Sequence, residues 1–513
     1  MRRLSIKLTC VLALLPAIAL GACMKSDPEV AYADAKMESR ELAGPSSGAH
    51  RGGDYGDYLA DEEAPSMEVA AAAPAEPMGG GMAGEAESGR MAPPSPATTA
   101  SPGSMGTRAE GKSKVAGDAK KASRPDMDKG GKDDGAKIAR DEEDARFGNN
   151  IQSGTLTAGS FDDNLNSWVF DRFLTQVEQQ PDLAALAHAF AGQRTVLRVQ
   201  DSQGRPLGNA KVEIDGKQLT TRSDGRVIYV PGWDSGAQSR NKANVSFGSA
   251  KTSVTINKQL EQLVTLDAQG ALPTKLDIAL VIDATGSMGD EMEYLKVEMR
   301  DIAEAIERHF PNVDQRFALV VYRDNGDDYV TKVFDFTDNL DRFQQDLGAQ
   351  SANGGGDYPE AMDSALEATN QLSWRSGDTA RVTFLVADAP PHTNDIDDTL
   401  EAVDDLRAKG VAIYPVASSG VAGEAEFVMR SAALLTGAQY MFLTDDSGVG
   451  NSHAEPHIPC YTVEQLAPLM VRAVRSELSG KRVEAEERFT VRTVGQGQSG
   501  MCEKPKSSAK LAK

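Results

Sequence analysis

Two apolar runs in this chain stop on an aspartate, and that repetition limits the fold more than any other feature. The first, Ile278-Ala279-Leu280-Val281-Ile282, has the length and branched content of a strand buried on both faces, and it ends at Asp283. The second, Val382-Thr383-Phe384-Leu385-Val386-Ala387, ends at Asp388. Strand and helix patterns alternate around them. Met292, Leu295, Met299, Ile302 and Ile306 recur at helical spacing behind the first run. Residues 317–322 and 330–336 read as strands, and 340–347 and 360–372 as helices. Beyond the second run come a helix over 396–409, a strand over 411–417, a helix over 427–435, a strand over 440–443 and a closing helix over 463–478. Repeated units of this length predict an α/β fold with a doubly wound, mostly parallel sheet. Both aspartates then project from its carboxyl edge, where such sheets place their ligands.

Oxygen donors gather around these two positions. In Asp283-Ala284-Thr285-Gly286-Ser287 two hydroxyls follow the carboxylate at alternate positions. Carboxylate and hydroxyl oxygens suit a hard divalent cation, magnesium first, with manganese or calcium as alternatives. Taken alone, the stretch equally fits an aspartate and a serine that only cap a helix. A third element joins them: Asn353-Gly354-Gly355-Gly356-Asp357-Tyr358-Pro359-Glu360 is a glycine-rich loop feeding a helix, with two further carboxylates. A phosphate cradle fits it poorly, because the loop is acidic and no Lys or Ser/Thr follows at the required spacing.

Asp-x-Thr-x-Ser, the acidic glycine-rich loop and the apolar strand ending in Asp, in that order, resemble the von Willebrand factor type A domain, over residues 275–478. Details are similar to the integrin β-type version: Ser287-Met288-Gly289-Asp290-Glu291, Asp357-Tyr358-Pro359-Glu360 and Asp388-Ala389-Pro390-Pro391-His392. The resemblance implies a metal-ion-dependent adhesion site in which Asp283, Thr285, Ser287, Glu360 and Asp388 hold the main ion. It implies an adjacent site at Asp290 and Glu291. Asp357 belongs either to a second flanking site or to the main one. Thr285 stands where the family has Ser, Glu291 where it has Asp, and Gly355 where the integrin pattern has an Asn ligand. His392 reads as a loop histidine with a structural hydrogen bond. His453 and His457 have helical spacing, but Pro456 and Pro459 break a helix there and argue against zinc.

The remainder of the 513 residues is organised around this unit. Met1-Arg2-Arg3 precedes an apolar stretch too short for a membrane span, which reads as a secretory signal over 1–22. Leu20-Gly21-Ala22-Cys23 resembles the lipobox of bacterial lipoproteins, implying lipidation of Cys23 and a membrane anchor. Met24 after it favours the outer membrane of a bacterial cell envelope, its face being unspecified. Residues 23–150 are Ala, Gly, Pro, Ser and mixed charge, a composition that buries too little apolar area to offset ordering entropy. They read as a disordered tether. Residues 151–193 read as one or two short helices. Over 194–268 short strands and polar turns predict a small β-sandwich. Gly204-Arg205-Pro206-Leu207, Ala210-Lys211-Val212 and Ser223-Asp224-Gly225-Arg226-Val227 resemble the carboxypeptidase-regulatory-like modules, which implies a spacer rather than an activity. Residues 479–513 read as a short strand and a tail, and Cys460 and Cys502 could pair in an oxidising compartment.

A net charge of −22 argues against nucleic acid and anionic membrane surfaces as partners. No nucleophile–base pair accompanies the oxygen donors, so no catalysis is expected. The expectation is a non-catalytic, membrane-anchored binding protein whose cation recognises an acidic residue of a protein partner. A scaffold for cell-envelope assembly is the alternative.

Overall fold

A computed structural model of the chain describes residues 154–504, other than 193, 236–241, 258, 450–452, 454, 455 and the side chain of Asp290. The signal segment, Cys23 and the tether lie outside the described residues. Among the described residues no helix is long and apolar enough to cross a membrane.

The described chain begins with β1 (Thr157–Phe161), then α1 (Ser167–Val177) and α2 (Ala184–Phe190). The sequence predicts only helices here. β1 reads Thr-Ala-Gly-Ser-Phe, without apolar alternation, and its strand partners lie near the other end of the chain. Local pattern carries no sign of such a pairing.

Two small sheets follow. They use β2 (Thr195–Asp201), β3 (Lys211–Ile214), β4 (Lys217–Thr220), β5 (Arg226–Tyr229), β6 (Lys242–Phe247), β7 (Ala250–Thr255) and β8 (Glu261–Leu266). The strand orders are β5-β2-β8 and β4-β3-β6-β7. Leu197, Val199, Val212, Ile214, Tyr229 and Val245 share one buried cluster, so the sheets have a core of their own.

The main sheet has nine strands in the order β11-β10-β9-β12-β13-β14-β1-β15-β16. Its new members are β9 (Lys275–Asp283), β10 (Asp314–Tyr322), β11 (Thr331–Thr337), β12 (Thr379–Ala387), β13 (Val411–Ala417), β14 (Tyr440–Leu443), β15 (Tyr461–Gln465) and β16 (Thr490–Val494). β10, β9, β12, β13 and β14 are mutually parallel. β1 is antiparallel to both β14 and β15, so β15 runs with the parallel set. Six of the nine strands therefore point one way. The chain passes from β9 to β10 on one side and later returns to β12 on the other. The strand order reverses between β9 and β12, and at such a switch point a crevice opens outside the carboxyl ends.

Helices cover both faces. α3 (Gly289–His309) packs against α8 (Leu466–Ser479), while α5 (Met362–Asn370), α6 (Ile396–Ala408) and α7 (Gly423–Thr436) pack in succession; α4 (Leu340–Gly348) lies beside β10 and β11. α3 buries Met292, Leu295, Met299, Ile302 and Ile306. At the C-terminal end one stretch differs from expectation, while the expected strand and the possible disulfide are both present. The closing helix starts at Leu466, because residues 461–465 pair with β1 as a strand. β16 joins the main sheet through β15. Cys460 and Cys502 form a disulfide, with their Cα atoms 5.5 Å apart.

The two-sheet module is fastened to the main domain by buried ion pairs. Arg222 meets Glu477 of α8, and the Ser223 hydroxyl donates to the same carboxylate at 2.9 Å. Asp234, in the single turn after β5, accepts from Arg407 of α6 at 2.8 Å. Burial opposes the Asp234 charge, but Arg407 and Lys217 outweigh it and hold the carboxyl below its usual range. Val196, Ile228 and Val230 of the module also enter the main hydrophobic cluster.

Candidate metal centre

Strand β9 carries two fully buried aspartates whose surroundings are opposite. Asp277, near its start, accepts from Arg316 at 2.8 and 3.0 Å and from Arg375 at 2.8 Å. Asp283, at its end, is as deeply buried but has no cationic side chain against it among the described residues. Its Oδ1 accepts the Thr285 N–H at 2.9 Å and the Thr285 hydroxyl at 2.7 Å. The Thr285 hydroxyl in turn lies 3.2 Å from the Ser287 hydroxyl. The backbone winds so that the side-chain oxygens of alternate residues lie within hydrogen-bond reach of one another.

Register then brings in the other strands. β9 pairs with β12 up to Ile282↔Val386, so Asp388, just past β12, comes up beside Asp283. Tyr322 lies directly opposite Asp283 on β10. The glycine-rich loop closes the edge: Gly286 N–H donates to Gly354 O at 3.1 Å, and Asn353 N–H to Ala284 O at 3.0 Å. Glu360 is fixed by its own N–H, which donates to Pro390 O at 2.9 Å in the turn after Asp388. Gly355 is required here. Its φ is 72°, and an added Cβ would sit 2.8 Å from Glu360 Oε1.

The electrostatics are those of acids crowded without a counter-charge. Asp283 Oδ2, Asp388 Oδ1 and Glu360 Oε2 are buried and have no hydrogen-bond partner among the described residues. Burial, then the charge of Asp388, pushes the Asp283 carboxyl up to about 7 against the Thr285 hydrogen bonds. Burial, then the charges of Asp283, Asp324, Asp388 and Asp327, pushes Glu360 up to about 9. Burial also raises Asp388, against a hydrogen bond from Ser287. Arg323, the nearby guanidinium, is spent on the carbonyls of Ala284 and Ser351. Orphaned carboxylate oxygens beside two hydroxyls fit a hard divalent cation, whose charge would offset the repulsion and take up the open lone pairs. Among the described residues, no three acid, imidazole or thiol side chains alone are gathered at ion-binding spacing; the donor set here is mixed, with hydroxyls completing it.

Asp283, Thr285, Ser287, Glu360 and Asp388 are thus brought together. Asp357 is not among them: it stands exposed on the loop, its charge felt by His392. Glu291 is fully buried, and its Oε1 accepts both the hydroxyl and the N–H of Ser419. The Asp290 side chain is outside the described residues. His392 Nε2 lies 2.6 Å from Asp324 Oδ1, and that hydrogen bond raises the imidazole's pKa. His453 and His457 are bound to different acids, Asp445 at 2.8 Å and Glu426 at 2.7 Å. Sequence reasoning missed Asp324 and Asp327. Asp327 Oδ2 accepts the N–H groups of Gly355 at 2.8 Å and Asp324 at 3.2 Å, bracing the glycine loop. A signal existed, since the apolar run of β10 is followed by Arg323-Asp324 at the same sheet edge.

Residues 277–434 match the family model of the von Willebrand factor A domain. A putative ariadne-like RING finger protein of Acanthamoeba polyphaga mimivirus is 28% identical over 186 residues, covering 33% of this chain and 18% of that protein. The alpha-protein kinase vwkA of Dictyostelium discoideum is 28% identical over 118 residues, covering 23% and 19%. The human von Willebrand factor A domain-containing protein 7 is 29% identical over 178 residues, covering 33% and 19%. The chain thus spans less than a fifth of each of these relatives. Among solved structures, proximal thread matrix protein 1 of the mussel byssus is similar at 14% identity and a TM-score of 0.27, covering 32% of this chain and 43% of that one. The BatB protein of Bacteroides thetaiotaomicron is similar at 13% identity and 0.22, covering 28% and 66%.

Proposed function

We infer that the chain acts through its von Willebrand factor A domain, a module that generally mediates protein–protein interaction and is generally non-catalytic. We propose that it is a membrane-anchored, extracytoplasmic binding protein that recognises a protein partner through a divalent cation. Asp283, Thr285, Ser287, Glu360 and Asp388 hold the ion, with Asp357 on the exposed rim of the same loop. Magnesium is the favoured cation, and manganese or calcium would satisfy the same oxygens. When bound, the ion supplies a positive centre that an acidic side chain of the partner can complete. The chain's own residues would supply the carboxylate and hydroxyl oxygens that hold it, with no arginine or lysine set against the three acids among the described residues.

The observation that carries this reading is the contrast within one strand. A purely structural buried aspartate, Asp277, is given two arginines, whereas Asp283, Asp388 and Glu360 are given none. Leaving three acids uncompensated is expensive unless a cation arrives.

The anchor belongs to the same proposal: a lipidated Cys23 in the outer membrane of a bacterial envelope, a long tether, and a carboxypeptidase-regulatory-like module beneath the A domain. The test is partner capture from envelope and extracellular fractions, with and without EDTA, using the chain and its Asp283→Ala variant. Cation-dependent capture lost in the variant supports the mechanism, and the partners separate adhesion from envelope assembly. Capture that persists in EDTA refutes it.

A further inference from the structure

The loop that delivers Glu360 is held by a side chain outside the donor set. Tyr358 precedes Glu360 by two residues, and its ring is 43% exposed. Its hydroxyl is nonetheless committed twice, donating to Gly420 O at 2.9 Å and accepting the Ala422 N–H at 2.9 Å. Both partners lie in the turn 418–422, between β13 and α7. Ala422 is the N-cap of α7, and no side chain caps that helix from within.

That turn touches the rest of the centre at two more points. Ser418 N–H donates to Ala387 O at 2.9 Å, immediately before Asp388. Ser419 holds Glu291 in the first turn of α3, four residues beyond Ser287. Gly420 has a φ of 96°, where a side chain would be strained, so the turn keeps its carbonyl turned toward Tyr358 only with glycine there. One phenol therefore joins the Glu360 loop to a turn already tied to the Asp388 strand and the Ser287 helix.

We propose that Tyr358 is a positioning residue of the cation centre: its hydroxyl fixes the Glu360 loop against the 418–422 turn. This places Glu360 with respect to Asp388 and Ser287. The inference rests on the cation reading above. Because these hydrogen bonds lie at the surface, removing the hydroxyl leaves Gly420 O and Ala422 N–H to water and costs the fold little. The loss falls on the registration of two loops.

The test is Tyr358→Phe in the full chain, read three ways. In EDTA, hydrogen exchange should rise together in 353–360 and 418–422 while the melting temperature stays close to that of the parent. By calorimetry, magnesium and manganese affinity should fall about 3- to 10-fold, the effect of losing about one net hydrogen bond from the bound arrangement. The electron paramagnetic resonance spectrum of bound manganese should broaden, a change that a stability role alone would not cause. Tyr358→Ala should match Tyr358→Phe in affinity if the hydroxyl, not the ring, is responsible. Parental exchange in both loops, or a rise in 353–360 alone, overturns the bridge. Unchanged affinity together with unchanged exchange overturns the positioning role and leaves the cation reading standing. If the parent takes up neither metal, the cation reading fails, and with it the positioning role, whatever the exchange shows.

Discussion

Replacing Asp283 by asparagine isolates the electrostatic cost of the centre. Asparagine is nearly isosteric and keeps an oxygen for the Thr285 N–H and hydroxyl, but it cannot ionise. In cation-free protein, burial and the charge of Asp388 raise this carboxyl from 3.8 to about 7. The folded state therefore keeps a proton that the unfolded chain releases above about pH 4. For an acid whose folded value is raised, the linked stability is complete below the unfolded value and is lost as pH rises through the folded one. Between about pH 4 and pH 7 that loss is at most on the order of 4 kcal/mol, at about 1.4 kcal/mol per pKa unit. Urea denaturation in EDTA should show parent and Asp283→Asn close together near pH 4 and the variant more stable by a few kcal/mol at pH 7. Adding magnesium should stabilise the parent and leave the variant unmoved. Parallel pH profiles for the two proteins, or a variant less stable than the parent at pH 7 in EDTA, would refute the reasoning.

Other perturbations probe the frame. Arg430 is fully buried, with Asp163 accepting at 2.6 and 2.9 Å and Glu426 at 2.9 Å, and it ties the segment after β1 to α7; Asp163→Ala, which leaves it only Glu426, should cost up to about 3–5 kcal/mol by denaturant titration, the cost of breaking a buried ion pair from one side. Arg222→Ala strands Glu477 at the join between the two-sheet module and α8, and should expose the connection over 267–274 to limited proteolysis before the main domain unfolds. The Cys460–Cys502 bond spans a sequence separation of 42, so Cys460→Ser with Cys502→Ser should lose about 4 kcal/mol on loop entropy, measured against the oxidised parent.

How much of this was legible follows from where each interaction lies along the chain. β9 and β12 announce themselves because burial on both faces leaves an unbroken apolar run, and the aspartate ends each run where the sheet edge begins. Thr285 and Ser287 stand out as alternate hydroxyls behind Asp283, whereas the choice of Glu360 within the acidic glycine loop came from the resemblance to the von Willebrand factor type A domain. β1 and β15 did not, because β1 is short and only its distant partners make it a strand. Asp324 went unread for a related reason: its place at the edge depends on β10 lying beside β9, a matter of sheet order. Tyr358 carried no signal of its own in the sequence, since its hydroxyl acts on a turn more than sixty residues on. The fastening of the two-sheet module likewise rests on pairs such as Arg222–Glu477, whose members stand far apart in sequence.

The central claim is that five oxygen-bearing side chains form a divalent-cation site, and isothermal titration of the metal-stripped chain with magnesium and with manganese tests it most directly. The expected result is saturable binding that Asp283→Ala and Asp388→Ala abolish while their circular dichroism stays that of the parent. Absence of heat and of any metal-dependent stabilisation in the parent, or undiminished binding in both folded variants, would contradict it.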